Sequence, residues 1–138
     1  MAATMHPNDF LQRIMALPGV PWVRWRADWT GCDCFGLVVL WHREVLGVEL
    51  GPVPETDIAE GFALAAGWEP CEPDPGVTAW MTWRNGAPTH CGVLVAADMV
   101  LHNDGAPDRP GTARLTRLSA MQRLHQDLRF YRRVVAPC

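Results

Sequence analysis

No apolar run in this sequence approaches the roughly 20 residues that a membrane span needs. Near the N-terminus there is also no basic region leading into an apolar stretch. Neither a transmembrane helix nor a secretory leader is therefore expected. The arginines are scattered and the net charge is −3, which argues against nucleic acid as the main partner. Cysteine is present, but no CxxC pair is. The five residues Cys32, Cys34, Cys71, Cys91 and Cys138 form an odd set, so neither a disulfide framework nor a four-ligand zinc site is signalled and reduced thiols are expected. Cys32 and Cys34 with His90 and His102 are metal ligands by type. Two ligands one residue apart seldom close a tetrahedral site, however, and no metal or cofactor is expected. Internal repeats, low-complexity tracts and composition breaks are all lacking, and the 138 residues read as one domain over 1–138. With 49% hydrophobic and 20% charged residues, that domain has enough apolar side chains for a real core. The seven tryptophans are expected to fill that core and the edges of its loops.

Hydrophobic period and turn residues divide the chain. Phe10, Leu11, Ile14, Met15 and Leu17 predict a short amphipathic helix over Asn8–Leu17, ended by Pro18-Gly19. An aromatic loop follows, Pro21-Trp22-Val23-Arg24-Trp25-Arg26, leading to Trp29-Thr30-Gly31. From Cys34 the apolar residues Leu37, Val38, Leu40, Trp41 and Val45 recur at helical spacing, with Asp33 as N-cap and Gly47 as a left-handed stop. Pro52 and Pro54 mark a connection, Asp57–Ala66 a further helix closed by Gly67, and Pro70–Gly76 a turn region. The period then changes to extended over Val77–Trp83, Cys91–Ala96 and Met99–Asn103, with Arg84–Thr89 as the first turn and Asn103–Gly111 as a loop. Arg114–Leu118 reads as a strand, Ser119–Gln126 as a short helix and Leu128–Val135 as a last strand. Helices followed by an antiparallel meander define an α+β class.

The chemistry concentrates at Cys34 and two histidines. A thiol on the first turn of a helix faces unpaired N–H groups and the positive end of the macrodipole, which favour the thiolate. A thiolate nucleophile needs a base, and the base needs a group to hold its ring. If Ala96-Ala97-Asp98 form a three-residue hairpin loop, Val95 pairs with Met99, Val93 with Leu101 and Gly92 with His102. His90 and His102 then share a sheet face as diagonal neighbours about 7 Å apart. Cys91, Val93, Val95, Met99 and Leu101 point to the other, apolar face. A two-residue loop would put the histidines on opposite faces. This register predicts Cys34 as nucleophile, His90 as base and His102 as its orienter. His42, on the polar side of the cysteine helix, and His6 and His125 read as solvated.

Asp33-Cys34-Phe35-Gly36-Leu37-Val38 resembles the Asp-Cys-Ser-Gly-Leu-Val motif of the NlpC-type cell-wall peptidases, papain-like cysteine hydrolases. His90 and His102 match that family's base histidine and the second histidine twelve residues later. Arg43-Glu44-Val45-Leu46-Gly47 resembles the continuation found in the branch encoded with phage tails and gene transfer agents, and Phe130-Tyr131-Arg132-Arg133 its closing strand. The likeness runs over about residues 10 to 135. Trp22 stands where the family has tyrosine, Phe35 replaces serine, and the Pro-Gly-Asp turn is reduced to Asp74-Pro75-Gly76. The resemblance implies a papain-like domain with helices on an antiparallel sheet, which hydrolyses amide bonds in peptidoglycan stem peptides without a cofactor. Trp22, Trp25 and Asp33 are then expected to bind the substrate. Other tail or baseplate proteins are the expected partners, and a phage-like tail tip acting at the cell wall is the expected location. The rival expectations are a structural tail protein that keeps the fold, and a different thiol hydrolase or acyltransferase.

Overall fold

The computed structural model describes residues 4–50 and 68–133. The connection at Pro52 and Pro54, the helix expected over Asp57–Ala66 with its Gly67 stop, Val134, Val135 and Cys138 lie outside those residues. Helix α1 (Pro7–Met15) starts where Pro7 pre-sets the backbone and His6 Nδ1 accepts the Asn8 N–H at 3.1 Å. It buries Phe10 and Ile14, with Phe10 meeting the rings of Trp41 and Trp29 at 5.0 Å. In the aromatic loop the strands β1 (Ala27–Asp28) and β2 (Gly31–Cys32) form a small hairpin, where a longer loop is expected from sequence. Asp28 Oδ1 accepts the Thr30 N–H at 2.8 Å and closes its turn.

Helix α2 (Cys34–Trp41) is apolar all round and all of its residues are buried, so it is the central rod of the core. It continues as a π-helical turn, His42–Leu46, and stops at Gly47, whose φ of +68° supplies the left-handed conformation expected there. His42 is a correction to the solvated reading. The rod has no polar side, so His42 is buried 1% exposed, with Nδ1 2.8 Å from the Val38 carbonyl and its ring edge-on to Trp68. Burial pushes its pKa down to about 4.

Six strands form one antiparallel sheet in the order β3 (Trp68–Pro70), β8 (Asp127–Arg133), β4 (Ala79–Arg84), β5 (Ala87–Ala96), β6 (Met99–Asn103), β7 (Ala113–Arg117). Strand β5 starts four residues earlier than expected from sequence. Asn85 and Gly86 have φ of +53° and +76°, a two-residue turn that returns the chain to extended structure at Ala87. The β5–β6 register also differs from expectation. Ala96 pairs with Met99 across a two-residue turn, and the irregularity at Val95 absorbs the extra residue, so Leu94 meets Val100 and Val93 meets Leu101. The bulge restores what the shorter turn would have lost, and His90 and His102 share a face.

Both faces of this sheet are covered. Against one lies α2, with Cys91, Val93, Leu101, Met81 and Tyr131 beneath it. Against the other, which carries the histidines, Trp80, Leu94 and Val100 pack on Leu118 and Met121 of helix α3 (Leu118–Leu124). The histidine face is thus a second small core.

Candidate active site

The site begins with the capping of α2. Asp33 spends both carboxylate oxygens on backbone: Oδ1 accepts the Gly36 N–H at 2.6 Å and Oδ2 the Trp25 N–H at 2.8 Å. The same side chain therefore starts the helix and pins the aromatic loop to it. Burial pushes its pKa up to about 6. Gly36 lets the loop come this close, because a Cβ there would stand 1.7 Å from the Arg26 carbonyl oxygen. Of the residues expected to bind substrate, Asp33 is thus a cap. Trp22 is half-buried and lies against Gly105, where a Cβ would come 2.3 Å from the Trp22 Cβ. Trp25 is 38% exposed, with the Arg24 guanidinium 4.4 Å from its ring centre.

Cys34 meets β5 where that strand loses one neighbour. The β5–β6 ladder reaches only to Val93–Leu101, so His90, Cys91 and Gly92 pair with β4 alone. At that open edge the Cys34 sulfur reaches groups from both faces of β5. A hydrogen bond with the Cys91 thiol draws its pKa down most. Burial opposes this, and a hydrogen bond and charge interaction with His90, together with the Cys91 backbone N–H, reinforce it; the net pKa is well below the ordinary thiol value. Cys91 moves the opposite way, pushed up by burial and by the neighbouring Cys34 charge. Burial pushes Cys32, two residues before Cys34, up to about 12, and a hydrogen bond from Asn103 Nδ2 to its sulfur offsets this only in part.

Behind His90 runs a hydrogen-bonded chain. His90 Nε2 lies 2.9 Å from His102 Nδ1, and His102 Nε2 lies 2.8 Å from Thr116 Oγ1. His90 Nε2 is thereby occupied, which leaves Nδ1 as the ring nitrogen for Cys34. Burial, and next the His90 charge, push the His102 pKa down to about 4, so this ring is neutral near pH 7. When His90 holds the thiol proton it donates through Nε2, and a neutral His102 accepts at Nδ1 while donating from Nε2 to Thr116. Trp80 holds both rings edge-on, at centroid distances of 5.4 and 5.8 Å. Gly92 makes room for it, since a Cβ there would come 2.6 Å from the indole.

Structure thus brings Cys34, His90 and His102 together and adds Cys91 and Thr116. Sequence reasoning assigned Cys91 to the core alone and did not single out Thr116. The available signal for Thr116 was a threonine on the sheet face of Val100 and His102, its direct and diagonal ladder neighbours. His125, read from sequence as solvated, is half-buried and lines, with His90 and His102, a cavity of about 880 Å³. Its pKa is lowered by burial, then by His90 and Arg84. Cys34 is 7% exposed and is not among the residues lining that cavity. Among the described residues no three His, Cys, Asp or Glu side chains are grouped to hold a metal ion.

The role of Cys91 is open to a direct test. Replacing it with valine puts an apolar side chain suited to a strand in its place but removes the thiol donor, so the midpoint of the pH profile for Cys34 alkylation should rise. Peptide mapping should also show Cys34 labelled before Cys32. An unchanged midpoint in the Cys91→Val protein would remove Cys91 from the site.

An antiparallel sheet with a cysteine at the start of its covering helix and a histidine pair on its central strands is an arrangement that can support thiol chemistry. A scan against models of known protein families finds no match, and a search of curated proteins finds none. Among solved structures, the NlpC/p60 domain of the peptidoglycan hydrolase SagA is similar, with a TM-score of 0.60 and 13% sequence identity over 94% of this chain and 100% of that domain. At that identity the likeness concerns the fold. This chain has an α+β fold of the NlpC/p60 type.

Proposed function

We propose that this protein is a cysteine peptidase that hydrolyses amide bonds in peptidoglycan stem peptides. The observation that carries the reading is the unbroken chain from the depressed Cys34 thiol through His90 and His102 to Thr116. In the reaction His90 holds the Cys34 proton and the thiolate attacks the amide carbonyl carbon. First-turn N–H groups of α2, that of Cys34 among them, have no carbonyl within the helix to bond and stabilise the oxyanion. As the C–N bond breaks its electron pair stays on nitrogen, which takes the proton from His90. A thioester remains on Cys34, and water activated by His90 releases it. The choice of peptidoglycan is supported by the motif resemblance and by the similarity in fold to a peptidoglycan hydrolase domain. Delivery to the wall on a phage-like tail tip is part of the proposal and rests on the Arg43–Gly47 resemblance.

One observation favours a second reading, a latent enzyme or scaffold: Cys34 is 7% exposed, so its thiol is covered in this conformation. Incubating the purified chain with peptidoglycan beside a Cys34→Ala control separates the two. Release of soluble peptides by the wild-type chain alone supports the peptidase. No release, with the thiol and both histidines intact, supports the latent enzyme or scaffold.

A further inference from the structure

The cavity lined by His90 and His102 carries a charge pattern that the hydrolytic chain does not use. Its two carboxylates are compensated from outside. Asp104 accepts from Arg114 at 2.7 Å and from the Thr112 N–H at 3.3 Å, while Asp127 takes both prongs of the Arg129 guanidinium at 2.8 Å. Neither Arg114 nor Arg129 lines the cavity, whereas Arg84 and Arg109 do. Among the described residues no carboxylate pairs with Arg84 or Arg109. Arg109 commits one N–H to the Asp104 carbonyl at 3.0 Å. Both arginines stand on fixed backbone: Arg84 immediately before the Asn85-Gly86 turn, Arg109 in a bridge with Ala106 made by bonds of 2.9 and 3.0 Å. Guanidinium groups with donors to spare, in a cavity whose own acids are already paired, favour a carboxylate.

The hydrolytic mechanism says which part of a substrate belongs there. His90 hands its proton to the departing nitrogen, so the amine-side fragment must lie beside His90, and His90 lines this cavity while Cys34 does not. We propose that the cavity holds the amine-side fragment of the scissile amide, and that Arg84 and Arg109 select fragments bearing a free carboxylate. This inference rests on the peptidase reading of Cys34.

The test uses two synthetic peptides, identical except that the amine-side fragment ends in a carboxylate in one and a primary amide in the other. Wild-type kcat/KM should favour the carboxylate by about tenfold, and in R84Q/R109Q the ratio should fall towards one. Both arginines are exposed, so the double variant is expected to fold, and the wild-type ratio alone decides the matter if it does not. In parallel, calorimetry on Cys34→Ala protein measures binding of the two amine-side product fragments. If neither peptide is cleaved but the carboxylate fragment binds more tightly, the cavity assignment stands and the peptidase reading fails. If both peptides are cleaved equally and the fragments bind equally, the cavity assignment is overturned while the peptidase stands.

Discussion

Replacing His90 with alanine should lower kcat by about 10²- to 10⁴-fold, the range that removal of a general base normally costs. His90 is the one imidazole that reaches the Cys34 sulfur, and its Nδ1 is the free ring nitrogen once Nε2 is held by His102. His102→Gln should retain a measurable fraction of turnover, because an amide oxygen can accept from His90 Nε2 and its NH₂ group can donate to Thr116. Thr116→Val removes only one hydrogen bond to a neutral ring, worth about 1 kcal/mol, and should slow the reaction by less than about tenfold. The order His90→Ala, then His102→Gln, then Thr116→Val, measured as kcat on a stem peptide, is the expected result. A His102→Gln protein as inactive as His90→Ala would show that His102 does more than orient the ring.

The largest expected effect on stability comes from Gly36→Ala. The added Cβ would stand 1.7 Å from the Arg26 carbonyl oxygen, 2.8 Å from its carbon and 2.9 Å from Asp33 Oδ1. The first two are backbone atoms of the loop that Asp33 pins, so no flexible side chain can yield. A loss of about 3 kcal/mol or more is expected, at the severe end for overpacking. Gly76→Ala is the control: nothing lies within 4 Å of a Cβ there and only its φ of +86° opposes the change, at about 1 to 2 kcal/mol. Chemical denaturation of both proteins checks the contrast. A Gly36→Ala protein as stable as Gly76→Ala would mean that the aromatic loop does not sit on α2.

Much of the site was legible in the sequence because its parts obey short-range rules. Asp33 before an apolar helical run announces a cap, and the spacing of His90 and His102 around a hairpin makes their shared face a matter of counting. The count succeeded through two compensating departures, a shorter turn and the Val95 bulge, and no local signal marks that bulge. His42 was misplaced because helical periodicity assumes a solvent side, and α2 has none. Cys91 was seen only as a core residue, because alternation places it opposite His90. That the ladder opens at Gly92, so that one sulfur can reach both residues, follows from tertiary packing. Thr116 and His125 depend on how β7 and α3 return across the sheet after the 104–112 loop, a long-range arrangement that composition does not encode.

The proposed covalent acyl intermediate on the Cys34 thiolate, formed under the control of His90, is open to direct trapping. The protein is mixed with a stem peptide, quenched in acid within milliseconds, and mapped by mass spectrometry. The predicted result is an adduct with the mass of the acyl-side fragment on Cys34, absent when Cys34 is replaced by alanine. Peptide hydrolysis that persists in the Cys34→Ala protein, or an adduct found on Cys91 instead, would contradict it.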